Sequence, residues 1–155
     1  MTPDQRSLDA LAELFARAPS ASRAVRRLSP SARVGLELDE GLAGFAVSDG
    51  VAVLTAGAPG DPDFTLRLPA AAVARLCAHA GAGVGVGELG LAFFTLLLER
   101  DPSLRVGVRV HASTSRLLAH GYLGVLALGG PRVLAWLLRR GLADPRAVIE
   151  RLRRR

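Results

Sequence analysis

Apolar residues recur along this chain with two different periods, and the changes of period mark out its elements. Leu8, Leu11, Leu14 and Phe15 fall on one helical face, and Ser7 just ahead of them is a residue type that caps helices. Pro19 and Ser20 interrupt this helix, and a second short stretch carries Val25 and Leu28 to a stop at Pro30. The period then drops to two. Val34, Leu36 and Leu38 alternate with Arg33, Gly35 and Glu37, the signature of a half-buried strand. Phe45 and Val47 lead into Asp49-Gly50, and Val51, Val53 and Thr55 follow, which predicts a hairpin. Phe64, Leu66 and Leu68 alternate with Thr65 and Arg67 as a further strand.

Pro69 is placed to open a helix with Val73, Leu76 and Cys77 on one face. A second, short apolar helix, "LAFFTLLLER", ends at Asp101-Pro102. Leu104, Val106, Val108 and Val110 give the cleanest alternation in the chain. Ser113 or Thr114 then caps a helix through Leu117, Leu118, Leu123 and Leu126. Two shorter helices follow, around Val133 to Arg139 and from Asp144 or Pro145 to Arg153. The pattern predicts an α+β fold: an antiparallel sheet of about five strands with helices packed on one face. At 155 residues it is one domain, with an N-terminal helical segment (1–30), a core (31–130) and C-terminal helices (131–155).

The stretch "AGAGVGVGELG", residues 80 to 90, contains the G-x-G-x-x-G spacing at Gly85, Gly87 and Gly90. A dinucleotide turn needs a strand before it, a helix after it inside a βαβ unit, and an acid about twenty residues on. Here a helix precedes it, and Glu99 and Asp101 come too soon. The glycines read instead as a connector between two helices, where backbone bends or packs closely.

Composition adds an apolar surplus. Half the residues are hydrophobic and the mean hydropathy is +0.29, above an ordinary soluble domain. Phe93, Phe94, Leu96, Leu97 and Leu98 make one helix apolar nearly all round, and such a helix is wholly buried or faces a ligand or a membrane. The longest greasy stretch, residues 117 to 138, is broken by Gly129-Gly130-Pro131 and Arg132, so no spanning helix is expected there.

The 20 basic residues are all Arg, which codon bias in a GC-rich genome explains without invoking phosphate recognition. Their placement is more informative. Residues 1 to 131 are neutral overall, and residues 132 to 155 hold eight Arg against Asp144 and Glu150, which supplies the whole net charge of +6. Such a tail suits an anionic lipid surface, or is simply a solvated helix end with Arg at its C-terminal dipole. Few aromatic residues accompany it (Trp136 is the one beyond Tyr122), which argues against nucleic acid.

Catalytic and metal-binding patterns are weak. Cys77 and His79 in "CAHA" lack the paired spacing of a zinc site, and a helix points them apart. Ser113 and Ser115 near His111 have no nucleophile-elbow context, and Asp61, Asp63, Glu99 and Asp101 form no metal loop. The expectation is a protein that is not an enzyme and has no cofactor or metal. With the lone Cys77 and no leader-like N-terminus, a cytoplasmic setting is expected.

The run "DPDFTLRLP", helix, glycine connector, "AFF", then "LRVGVRVHASTSRLL" resembles the sterol carrier protein 2-like family over about residues 31 to 130. The corresponding positions are Asp63, Thr65 and Leu66, then Gly81, Ala92 and Phe93, then Val106 to Val110. The resemblance implies a non-catalytic apolar tunnel between sheet and helices that holds a fatty acyl, sterol-like or isoprenoid chain. On that implication Phe93, Phe94, Leu97, Leu118, Tyr122 and Leu126 are the expected lining, with a lipid as the ligand. Arg139, Arg140, Arg151, Arg153, Arg154 and Arg155 are the expected docking surface for an anionic membrane. The alternative from another class is a protein–protein interaction or oligomerisation module using the same apolar helices. The sequence fixes neither the oligomeric state nor the lipid.

Overall fold

The computed structural model describes residues 6–80, 86–122, 124, 125, 135, 139 and 150. Its elements in chain order are α1 (Arg6–Arg17), α2 (Pro19–Val25), β1 (Arg33–Leu38), β2 (Gly41–Ser48), β3 (Val51–Ala56), β4 (Phe64–Leu68), α3 (Ala70–His79), α4 (Val86–Leu97), β5 (Gly107–Val110) and α5 (Thr114–Ala119). The strands form one sheet in the order β3-β2-β1-β4-β5.

This is the expected α+β architecture, with one pairing of different sense. β1–β2, β2–β3 and β4–β5 are antiparallel, but β1 and β4 run parallel, from Val34 beside Phe64 to Leu38 beside Leu68. The cause is the loop after β3. It returns the chain to the end of the sheet where β1 begins, with Pro59 passing over Gly44. A β-carbon on Gly44 would sit 3.3 Å from that proline ring, a tight approach that a glycine relieves. The Asp63 N–H then donates to the Arg33 carbonyl at 2.8 Å, and β4 starts alongside β1.

The hairpin β2–β3 turns on Asp49 and Gly50, both at positive φ (51° and 74°), the geometry of a two-residue turn matched to strand twist. That turn sets Val47 opposite Ala52 and Phe45 opposite Leu54. Ala52 and Leu54 therefore share the core face, and Val51 and Val53 project from the other side. Alternation alone does not show this, because β3 is apolar on both faces.

One face of the sheet carries the core. Val34, Leu36, Leu38, Ala43, Phe45, Val47 and Leu68 pack there with Leu11, Val25, Ala72, Val73, Leu76, Leu96 and Val106. Helices α1 and α2 lie against β3, α3 lies against α1, and α4 against α2 and α3. Phe15 of α1 meets Phe45 with ring centroids 5.3 Å apart.

Several local expectations shift. Ser7 is not the cap of α1. It lies inside the helix, buried, and its N–H donates to the Glu40 carboxylate from the β1–β2 turn, which satisfies a first-turn amide from outside the helix. Pro19 begins α2 instead of merely ending α1. β5 is shorter than its alternation, since the Arg105 and Val106 amides donate to the Asp101 and Leu96 carbonyls and not to β4. Ser113 caps α5 as expected, accepting from the Arg116 N–H. That helix ends at His120, where Gly121 (φ 89°) turns the chain before Tyr122. Gly87 and Gly90 lie inside α4, and the element before the glycine run is α3, so no strand–turn–helix surrounds the G-x-G-x-x-G spacing. Gly81 and Gly85 lie outside the described residues. Among the described residues no helix is long and apolar enough to cross a membrane.

Candidate functional site

Two features meet at the β4–β5 end of the sheet: an incompletely covered apolar face and a buried polar cluster centred on Asp63. Over β1 and β2 the core-facing side chains are wholly buried. Their neighbours on β4 and β5 are not. Phe64, Leu66, Val108 and Val110 share that face through the paired register, and all four are only half-buried. Helix α4 continues the pattern. Leu89, Ala92, Phe93 and Leu97 pack against the core yet stay half-buried, and Leu96 is fully enclosed. The end of α4 meets the chain just ahead of β5, where the Val106 N–H donates to the Leu96 carbonyl at 3.1 Å, and apolar side chains left half-covered gain by holding something apolar.

Asp63 stands immediately before β4 and is 0% exposed. An isolated carboxylate would not stay charged there. Its Oδ2 accepts from the Arg33 N–H at 3.3 Å, from His120 Nδ1 at 2.7 Å and from the Tyr122 hydroxyl at 2.7 Å. A carboxylate only accepts, so the His120 proton is on Nδ1. Arg116 Nε lies 2.9 Å from Oδ1 as its counter-charge, off the angle of a hydrogen bond. The same guanidinium holds Asp61 through Nη1 to its carboxylate at 3.0 Å and Nη2 to its carbonyl at 2.9 Å.

Burial alone pushes the Asp63 carboxyl upward, but the hydrogen bonds from His120, Tyr122 and the Arg33 amide, with the His120 charge, outweigh it and hold the group below its usual range. Tyr122 moves the other way: burial and the neighbouring Asp63 carboxylate push its hydroxyl well above the ordinary tyrosine value. The Asp63 carbonyl also accepts from the His111 and Ala112 amides at 2.9 Å each. One residue thus ties the start of β1, the start of β4, the end of β5, α5 and the turn after it. Its carboxylate is buried, with Oδ2 bonded three times from within and Oδ1 facing the Arg116 guanidinium, so the geometry is that of a clamp. Among the described residues no group of three or more His, Cys, Asp or Glu is placed to hold a metal ion.

The clamp also shapes the apolar face. With its hydroxyl fixed on Asp63, the Tyr122 ring meets Phe64 edge-on, centroids 5.0 Å apart. Tyr122 is half-buried and forms a wall of the exposed strip. Of the residues expected to line a cavity, the structure therefore gathers Phe93, Leu97 and Tyr122 on or beside the core. Phe94 belongs to α4, but its side chain lies outside the description, as does Leu126 altogether. Leu118 is 41% exposed and is not among the side chains packed on the core. Arg139 is exposed and helical; Arg140, Arg151, Arg153, Arg154 and Arg155 lie outside the described residues.

The sequence reading places Tyr122 in an apolar lining, assigns His120 no role, and gives Asp63 as a position of the family resemblance and one of four acids that form no metal loop. The available signal was an acid at the mouth of an apolar strand and an H-x-Y pair on an otherwise apolar stretch. Buried polar groups need partners, and these find one another, together with Arg116 and the Arg33 amide. Cys77 is half-buried, its thiol donating to the Ala10 carbonyl at 3.7 Å. Its pKa is raised by burial and by Glu13, so it is poorly suited to nucleophilic work.

No protein-family model and no curated protein matches the chain. Among solved structures, one described as "UbiJ-SCP2 Ubiquinone synthesis protein" matches with a TM-score of 0.44 and 15% identity, covering 78% of this chain and 90% of its own.

Proposed function

We propose that the protein binds a long apolar chain, of the fatty acyl, sterol-like or isoprenoid kind, against the half-covered face of β4, β5 and α4. The observation that carries this reading is the contrast along one sheet face: the side chains of β1 and β2 are enclosed, and Phe64, Leu66, Val108 and Val110 beside them are not. The resemblance of residues 31 to 130 to the sterol carrier protein 2-like family points to the same class of ligand. Each methylene removed from water contributes about 0.8 kcal/mol, so an acyl chain gains affinity here without a polar partner. No reaction belongs to this reading; Asp63 and its partners act by holding Tyr122 and the strand ends in place.

Titration with a dansyl-labelled fatty acid tests it. Saturable binding with one ligand per chain, displaced by unlabelled fatty acid, is the expected result. Phe93→Ser and Leu66→Ser are expected to weaken it at least tenfold, with Val53→Ser on the opposite face as the neutral control. Non-saturable binding, or equal loss in all three variants, would overturn the reading.

A further inference from the structure

The sheet's other face, away from the core, divides into two halves of different chemistry. On β2 and β3 its outward residues are Leu42, Gly44, Ala46 and Ser48 with Val51, Val53 and Thr55. None is charged, and Leu42 (56% exposed), Val51 (63%) and Val53 (41%) are three of the four most exposed large apolar residues described. Pro59 lies over Gly44 within this half.

On β4 and β5 the same face carries Arg67 and Arg109, diagonal to each other across Gly107 and Thr65, with exposed Arg105 just ahead of β5. Among the described strand residues the only acid on this face is Glu37 of β1, in register with Arg67 and 3.7 Å from Arg109. Among the described residues Arg67 and Arg105 have no ion-pair partner. Gly35 and Gly107 keep this half shallow: a β-carbon on Gly35 would lie 2.8 Å from Thr65 Oγ1, and one on Gly107 3.3 Å from the Arg67 β-carbon.

We infer that this outer face docks the protein on an anionic bilayer, with Leu42, Val51 and Val53 entering the headgroup–acyl boundary and Arg67, Arg105 and Arg109 meeting lipid phosphates. Peripheral binding of this kind combines buried apolar area with attraction to anionic lipid. The pairing of charge and partner selects the occupant. Three guanidiniums against one carboxylate offer no self-complementary surface to a second copy, and a nucleic acid has no use for the uncharged half. The docking face is separate from the proposed chain-binding face, so the two readings fail independently.

Flotation with vesicles separates the outcomes. The full chain is expected to float with phosphatidylcholine–phosphatidylglycerol vesicles, to stay behind with phosphatidylcholine alone, and to release at high salt. Arg67→Gln/Arg105→Gln/Arg109→Gln and, separately, Leu42→Ser/Val51→Ser/Val53→Ser are expected to weaken binding at least tenfold while keeping the wild-type circular dichroism spectrum and fatty-acid affinity. Neutralising the tail (Arg151, Arg153, Arg154 and Arg155→Gln) is expected to leave most of the binding. Three results would overturn the inference: no binding by the wild type, loss with the tail variant but not the face variants, or an oligomer that dissociates when Val51 and Val53 are replaced.

Discussion

The Tyr122 hydroxyl donates to Asp63 Oδ2 at 2.7 Å across a sequence separation of 59 residues. That bond closes the polar cluster at the sheet end and, through the ring's edge contact with Phe64, sets one wall of the apolar face. Its consequences for stability are specific. Asp63→Ala leaves the Arg33 N–H, the His120 ring N–H and the Tyr122 hydroxyl without their acceptor, and takes one counter-charge from Arg116, which keeps Asp61. Leaving a buried donor without its acceptor costs about 1–3 kcal/mol, so the three together cost about 3–5 kcal/mol. Urea unfolding is expected to show a loss of that size, with a smaller loss of about 1–2 kcal/mol for Tyr122→Phe, which removes a single hydrogen bond.

The same pair predicts two limbs of pH dependence. Asp63 has a folded pKa below its ordinary 3.8, so its contribution is complete above 3.8 and is lost as the pH falls through the lower folded value. Asp63→Asn is expected to flatten this acid limb. Tyr122 has a raised folded pKa, so its contribution is complete below 10.0 and fades as the pH climbs above that value. Tyr122 is the only tyrosine in the chain, so tyrosinate absorbance reports this group alone. It is expected to appear together with alkaline unfolding; an ordinary titration near 10 in the folded protein would show that the hydroxyl is not held by Asp63.

Gly121 and Gly124 make a sharp contrast within four residues. A β-carbon on Gly121 would lie 2.2 Å from the Arg27 carbonyl oxygen, at φ 89°, in backbone that cannot yield as a side-chain tip does. Gly121→Ala is expected to cost about 3 kcal/mol or more, strain and overlap together. On Gly124 the nearest atom among the described residues would be the Arg27 β-carbon at 3.7 Å, an ordinary contact. Gly124→Ala is expected to be neutral or to stabilise by up to about 1 kcal/mol, because it restricts the unfolded chain. Thermal unfolding of the two variants distinguishes them directly.

Much of the fold was legible because each strand carries its own signal. Val34, Leu36 and Leu38 declare a strand without help from the rest of the chain, as do Phe64, Leu66 and Leu68, and Asp49-Gly50 declares its turn. The parallel pairing of β1 and β4 was not legible, because period-2 alternation shows which residues share a face and says nothing of strand direction. The direction rests on the path of the loop past Gly44 and on the Asp63–Arg33 contact, both long-range. The polar clamp was hidden for the same reason. Asp63, Arg116, His120 and Tyr122 form no spacing pattern, and each looks like an ordinary polar residue until the fold removes it from water. Leu118, placed in the lining by the family resemblance, has its side chain 41% exposed on α5.

The most direct test of the proposed function is native mass spectrometry of the protein purified without detergent from its own host. The account predicts a monomer or small oligomer carrying extra mass that extraction identifies as a lipid with a long apolar chain, and predicts that Phe93→Ser and Leu66→Ser lose that mass while remaining folded. A protein free of lipid that also takes up none when fatty acid is added would contradict it.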